Sequence, residues 1–351
     1  MAVGGAVGGL LCSIVAPLLF NRALEYPLAL MAAAMMIAVY VYARPAGAHP
    51  AGKIAYFLPL ILLVVFQSSG EKLPLETVWE GRSFYGTLSV RDETSVGSNR
   101  AVHRIRHFHH GNTVHGRELV SAAKTPPDPL AYYSVFSGIG LYLQACGREE
   151  ADALKVGLIG LGVGSLASYG RIGDAYTFYE IDPLVARMAA DPKLFTFLSE
   201  SPARVETVVG DARIQLAREL EQGSRQYDVL VADAFSSDAI PMHLLTREAF
   251  QLYRAHLAED GVIAVHISNR YFDFVPLMKA MADSLGLALT VYHSETAGLC
   301  MASDWAFLSK APVTFPASPH GHVVDTSAIA PGALWTDDFH SLVGMLKTST
   351  R

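Results

Sequence analysis

Four short apolar runs between residues 155 and 233 each end in residues that can do chemistry. The first leads into Gly160–Leu161–Gly162–Val163–Gly164–Ser165, where glycine lets the backbone turn tightly and lets a ligand approach it. The second ends in Tyr179–Glu180–Ile181–Asp182. A carboxylate about 20 residues beyond the first glycine accepts both ribose hydroxyls of a nucleoside. The third ends in Gly210–Asp211–Ala212, placed to meet the base, and the fourth in Asp233, facing the same crevice outside the carboxyl ends of the strands. Gly160, Gly162, Gly164, Glu180, Asp182, Asp211 and Ala212 are the expected cofactor-binding residues, and Asp233 is the expected catalytic group. Two readings compete. Asp211 and Asp233 can simply cap the helices that follow them. A dinucleotide dehydrogenase explains the glycine turn and Glu180, but leaves Asp211 and Asp233 without work.

Such positions need a sheet to hold them. Strands over 155–160, 176–181, 205–209, 227–233 and 262–267 alternate with helical stretches over 162–169, 212–221, 245–257 and 276–285, the pattern of a parallel, doubly wound sheet. An antiparallel pair, 289–292 with 305–308, closes it. Upstream, 78–114 reads as short strands broken by polar turns, and a Pro-rich break at 125–129 precedes an apolar helix over 130–145. The expected fold class is α/β, a Rossmann-like sheet of the class I methyltransferase type, preceded by a small β region and N-terminal transmembrane helices. The expected boundaries are 1–72 for the membrane region, 78–120 for the small β region and 121–310 for the cofactor-binding catalytic domain. An extension over 311–351 carries a final helix at 339–347, which Trp335–Thr336–Asp337–Asp338 would cap.

The membrane expectation comes from composition. The hydrophobic fraction is 51%, and three stretches, 1–21, 26–43 and 54–70, carry no charge. Each approaches the ~20 residues that cross a bilayer. Gly4, Gly5, Gly8 and Gly9 supply small residues for close helix packing in lipid. Counting Arg22, Lys72, Arg82 and Arg91 on one side against Arg44 and Lys53 on the other leans to a cytoplasmic catalytic domain. The expected localisation is multi-pass in a bacterial inner membrane, with lipid as a partner and self-association left open. A net charge of −6 argues against a nucleic-acid partner. Cys12, Cys146 and Cys300 are scattered and form no disulfide framework. His103, His107 and His109 fall on one face of a strand, but their spacing with His110 and His115 matches no zinc pattern, so no metal is expected.

Longer motifs carry a family resemblance. Val231–Ala232–Asp233–Ala234–Phe235–Ser236–Ser237–Asp238–Ala239–Ile240–Pro241 resembles the catalytic loop of the polyamine aminopropyltransferases, the spermidine synthase family, in its bacterial membrane-fused branch. So do His110–Gly111–Asn112–Thr113–Val114–His115–Gly116, Tyr132–Tyr133, His266–Ile267–Ser268–Asn269–Arg270–Tyr271 and Trp335–Thr336–Asp337–Asp338–Phe339. The resemblance implies transfer of an aminopropyl group from decarboxylated S-adenosylmethionine to a diamine such as putrescine. It implies Asp233 as the catalytic aspartate and Asp238 as the anchor of the distal amine. Tyr132, Tyr133 and His115 are then expected to line the substrate site. The chain departs from the family in two places. Val163 stands where members carry an aspartate against the donor's ammonium, and Arg117–Glu118 replaces a glutamine, with Glu118 expected to pair with Arg117. Val163 keeps a small-molecule methyltransferase using intact S-adenosylmethionine open, and a non-catalytic sensor of cofactor or polyamine is the reading from another class.

Overall fold

A computed structural model describes residues 2–42, 75–96, 102–120, 126–146, 153–234 and 241–347. The chain divides into two compact units, Met1–Thr94 and Ser95–Arg351.

The first unit opens with α1 (Ala2–Leu10), a π turn (Leu11–Val15) and α2 (Ala16–Leu19), followed by α3 (Glu25–Tyr42) and a hairpin of β1 (Leu75–Ser83) and β2 (Gly86–Val96). Arg82 binds Glu25 through two nitrogens, each 2.7 Å from a carboxylate oxygen, and Arg22 reaches Glu80 at 2.6 Å. These pairs tie the hairpin to the start of α3. They also bear on the membrane expectation, which is corrected for this stretch: no helix among the described residues is long and apolar enough to cross a membrane. The π turn and Phe20 break up the first apolar run. The second forms an 18-residue helix, about 27 Å at 1.5 Å per residue, with the paired Glu25 in its first turn. The third run, 54–70, lies outside the described residues. A Cβ on Gly4, Gly5, Gly8 or Gly9 would meet nothing within 4 Å, so the small-residue face has no neighbour among the described residues.

The second unit is built on an eight-stranded sheet. Its strands are β5 (Lys155–Ile159), β6 (Ala175–Glu180), β7 (Arg204–Val209), β8 (Tyr227–Ala232), β9 (Leu257–His266), β10 (Ala288–Ser294), β11 (Ser303–Ser309) and β12 (Gly321–Val324), in the order β12-β10-β11-β9-β8-β5-β6-β7. Strands β5 to β9 pair in parallel, while β11 and β10 run antiparallel beyond β9. The parallel strands are nearly continuous runs of buried Val, Ile, Leu and Ala, as strands covered on both faces must be. Helices α4 (Gly138–Ala145), α5 (Pro183–Ala190), α6 (Ala212–Leu220), α7 (Arg247–Ala255) and α8 (Val275–Leu285) supply the cover. A second hairpin, β3 (Val102–His110) with β4 (Thr113–Leu119), belongs to the same unit. The strand reading from sequence therefore holds, with β12 and α5 as additions.

Three expected helices change. The stretch after the glycine turn is a five-residue 3-10 segment, Ser165–Tyr169, because Gly160, Gly162 and Gly164 all take positive φ and close the turn too tightly for an α-helix to start. The helix expected from 130 begins only at Gly138. Ala131 sits at φ 56°, and Ser137 caps α4 by accepting the Gly140 N–H at 3.1 Å. The final helix is reduced to a 3-10 turn, Val343–Met345. Its proposed cap does other work: Trp335 is fully buried in the core against Phe274, and Asp337 is drawn to Arg213 on α6.

Candidate active site

The carboxyl ends of β5, β6, β8 and β9 converge on one place. Gly160 leaves β5 at φ 98°, and a Cβ there would stand 2.3 Å from the Asp233 carbonyl oxygen. Only glycine allows the turn and the end of β8 to come this close. Two backbone bonds fix the approach, Gly160 N–H to Tyr179 O and Asp233 N–H to Ile159 O, both 2.9 Å. At Gly162, φ is 57° and a Cβ would lie 3.0 Å from the carbonyl oxygen of His115 on β4; at Gly164 it would strike Leu198. The turn is clasped from both sides.

Glu180, at the end of β6, is buried and oriented by the same turn. Its carboxylate accepts the Leu161 N–H at 3.1 Å and the Asp182 N–H at 2.8 Å. Burial pushes its carboxyl up to about 7, against the pull of those two amides. Each oxygen keeps a lone pair for a ribose hydroxyl, so the cradle fits a nucleoside. Asp182 caps α5 by accepting the Leu184 N–H at 2.8 Å. Asp211 likewise caps α6 through Ile214 N–H at 3.0 Å, while its second oxygen meets His243 Nε2 at 2.9 Å. The capping alternative thus holds for Asp211, the Asp182 cap is one the sequence reading did not offer, and Ala212 is the buried first residue of α6.

The Asp233 side chain faces a cluster from three other segments. His266, the last residue of β9, places Nδ1 2.8 Å from Asp233 Oδ1, with the two side chains 6% and 11% exposed. The far nitrogen, Nε2, lies 2.8 Å from Ser268 Oγ. Trp305 stacks on the imidazole, with ring centroids 4.7 Å apart and 14° between planes. Tyr132 and Tyr133 close the other side at 5.3 and 6.3 Å from the same ring. The Tyr133 hydroxyl binds Asp233, and its own ionisation is driven well above the usual tyrosine range, first by burial and then by that carboxylate. Next to this cluster lies an apolar pocket lined by Ile159, Ala232, Leu244, Leu245, Val265 and His266.

Tyr132 and Tyr133, expected to line the substrate site, lie on a turn rather than a helix, with their rings beside His266. His115 lies over the glycine turn, its ring beside those of Phe108 and His110. Asp238 falls outside the described residues. Glu118 does not turn to Arg117, its neighbour on the opposite face of β4: both its oxygens go to Thr196, at 2.9 and 3.0 Å. The His107 and His109 rings lie 6.0 Å apart and tilted by 34°, and among the described residues no group of three or more His, Cys, Asp or Glu is arranged to hold a metal ion. Sequence reasoning gave no role to His266, Ser268 or Trp305. The available signal was position, since His266 ends the fifth parallel strand as Asp233 ends the fourth.

No family model matches the chain. A polyamine aminopropyltransferase from Vibrio vulnificus is 34% identical over 117 residues, covering 32% of this chain and 37% of that protein. An N-terminal histidine N-methyltransferase from Emericella nidulans is 35% identical over 156 residues, covering 41% of this chain and 26% of that protein. The chain spans well under half the length of the curated relatives it matches. The crystal structure of a probable spermidine synthase from Corynebacterium glutamicum shares the fold with a TM-score of 0.52 at 16% identity, covering 77% of this chain and 97% of that chain. The two share a fold. Within it Val163 is 1% exposed, and a Cβ on Gly116 would stand 2.4 Å from one of its methyl groups. The valine is a packing residue between β4 and the turn, in an apolar setting that would penalise a carboxylate.

The raised Glu180 carboxyl gives a pH prediction. Ribose hydroxyls donate to the ionised carboxylate, so a nucleoside must displace the proton below about pH 7. Methylthioadenosine affinity measured by calorimetry should be flat above that pH. Below it, affinity should fall by up to about tenfold per unit, and a flat profile from pH 5 to 8 would refute the ribose role.

Proposed function

We propose that this chain is a transferase acting on an adenosyl-sulfonium donor, and specifically an aminopropyltransferase that moves the aminopropyl group of decarboxylated S-adenosylmethionine to a diamine such as putrescine. The observation that carries the reading is the Asp233 cluster, a carboxylate enclosed by aromatic rings beside a nucleoside cradle. An alkylammonium suits that setting, because the carboxylate binds its charge and aromatic faces attract it. Glu180 holds the ribose, and the backbone of the glycine turn lets the sulfonium lie near Asp233. Asp233 then orients the amine lone pair toward the carbon next to sulfur. The new C–N bond forms as the C–S bond breaks, and methylthioadenosine leaves with the sulfur electron pair. Asp211 lies along the edge where adenine would sit, shared between its helix cap and His243. Asp238 is proposed as the distal amine anchor.

A second reading, transfer of a methyl group from intact S-adenosylmethionine, is favoured by Val163. With an apolar residue buried inside the turn, no carboxylate there meets a donor ammonium. The sequence similarity to an N-methyltransferase points the same way.

Products separate these readings. Purified protein given decarboxylated S-adenosylmethionine and putrescine should release methylthioadenosine only when the amine is present. Asp233→Asn should lower that turnover by about 10²- to 10⁴-fold while leaving methylthioadenosine binding nearly unchanged. S-adenosylhomocysteine from the intact donor, without methylthioadenosine, would replace the first reading by the second. Tight nucleoside binding with neither product would leave a sensor.

We also propose that the N-terminal region attaches the chain to a membrane, with the catalytic domain on the cytoplasmic side of a bacterial inner membrane. Leu10, Leu11, Ile14, Leu18, Leu19 and Met35 are among the large apolar side chains exposed over residues 2–42, an area that lipid would cover favourably. Full-length protein should float with vesicles of phosphatidylethanolamine and phosphatidylglycerol and stay bound in molar salt. Recovery in the dense fraction would defeat the attachment.

A further inference from the structure

Asp211 is bonded more heavily than a helix cap needs. It follows β7 at the sheet edge, where the Gly210 N–H donates to the Glu180 carbonyl oxygen at 2.8 Å and sets the two acidic strand ends side by side. Its Oδ1 accepts the Ile214 N–H at 3.0 Å, and its Oδ2 meets His243 Nε2 at 2.9 Å. A cap uses one oxygen only. Bonds at both oxygens fix the plane of the carboxylate. Each carboxylate oxygen has two lone pairs, so Oδ2 keeps one with a set direction.

His243 is held in turn. It sits on the 3-10 turn Met242–Leu244, which the buried Leu244 and Leu245 anchor and to which the Tyr253 hydroxyl donates, at 3.0 Å to the Leu244 carbonyl oxygen. The His243 side chain is 48% exposed, so burial alone does not hold the ring. Its backbone carbonyl accepts Arg213 Nη1 at 3.0 Å. Arg213 lies on α6 two residues after Asp211, so helix and turn grip each other twice. One grip runs from the His243 ring to Asp211, the other from the Arg213 side chain to the His243 backbone.

The C-terminal segment closes this clasp. Asp337 binds Arg213 through both terminal nitrogens, with Nη1 2.7 Å from Oδ1. The Thr246 hydroxyl donates to the same oxygen at 2.8 Å, and the Asp337 N–H donates to Glu248 Oε2 at 3.0 Å. Two residues earlier, Trp335 is buried in the core, and its carbonyl accepts the Arg247 N–H at 2.8 Å. Arg213 holds the Asp337 carboxyl down to about 2, so the pair is ionised at neutral pH. A lone exposed ion pair contributes little, but a forked pair inside a network fixes geometry.

Resting on the nucleoside reading above, we propose that His243 is a positioning residue for base recognition, held by the C-terminal segment through Asp337 and Arg213, and that the base it selects is a 6-amino purine. With His243 in place, the remaining Oδ2 lone pair accepts an exocyclic N–H. A 6-oxo purine presents a carbonyl oxygen at that point, and two acceptors repel. The carboxylate touches the base; His243 acts through it, and Asp337 acts through His243.

Calorimetric titration of the full-length protein with methylthioadenosine and with methylthioinosine, its 6-oxo analogue, tests this. Wild-type protein should prefer the amino compound by about 10- to 100-fold. In His243→Phe the methylthioadenosine affinity should fall about tenfold, with methylthioinosine changed by less than about threefold. His243→Gln, whose amide nitrogen replaces Nε2, should keep most of the preference. Asp337→Ala should reduce the preference in the same direction and add nothing when combined with His243→Phe, because both act through one bond. Equal losses for the two nucleosides, or losses that add in the double variant, would overturn the positioning role. Wild-type protein that binds both nucleosides alike would overturn it while leaving the nucleoside site standing. Wild-type protein that binds neither would overturn the nucleoside reading and this role with it.

Discussion

The backbone of residue 160 stands against the backbone of residue 233, and most of the site depends on that contact. At φ 98° and with no room for a Cβ, Gly160 lets the nucleoside turn and the end of β8 share a wall. The ladder bonds Gly160 to Tyr179 and Asp233 to Ile159 then align three neighbouring strand ends. Glu180 follows from the same arrangement, because the Leu161 N–H that it accepts belongs to the turn itself. A side chain at residue 160 would therefore shift Glu180 and Asp233 together. In the reaction we propose, donor and acceptor would then be positioned by one constraint, as a direct displacement requires.

Around that contact the protein uses charge sparingly. Asp233 and Glu180 are both shielded from solvent, but their settings differ. Glu180 is desolvated with backbone amides as its partners and is held partly protonated near neutrality. Asp233 instead has hydrogen-bonding side chains, Tyr133 and His266, as its partners. Two carboxylates close to one turn thus stand in different settings. Val163 adds a third choice. By packing on Gly116 it closes the turn against β4 with an apolar side chain.

Much of this was legible in the sequence, because each parallel strand is a short buried run that ends abruptly in glycine or an acid. The runs at 155–160, 176–181 and 227–233 have the composition of strands covered on both faces. The helix at 130–145 was over-read because its apolar residues have helical spacing, while the left-handed Ala131 and the Ser137 cap are local events that periodicity does not record. The final helix failed for a tertiary reason: Asp337 is worth more beside Arg213 and Thr246 than as a cap. His266 went unassigned because a histidine at a strand end acquires meaning only from what lies across the sheet edge. The first 42 residues show the limit of hydropathy. An uncharged run gives length and oiliness, but neither the π turn at Leu11–Val15 nor the Glu25–Arg82 pair is visible in it.

The central claim is geometric, that one pocket holds an adenosyl group at Glu180 and an amine at Asp233. A crystal structure of the protein soaked with methylthioadenosine and putrescine tests it most directly. The account places both ribose hydroxyls within hydrogen-bond distance of the Glu180 carboxylate and one putrescine nitrogen about 3 Å from Asp233, facing the sulfur. A ribose bound away from Glu180, or an amine bound with Asp233 untouched, would contradict it.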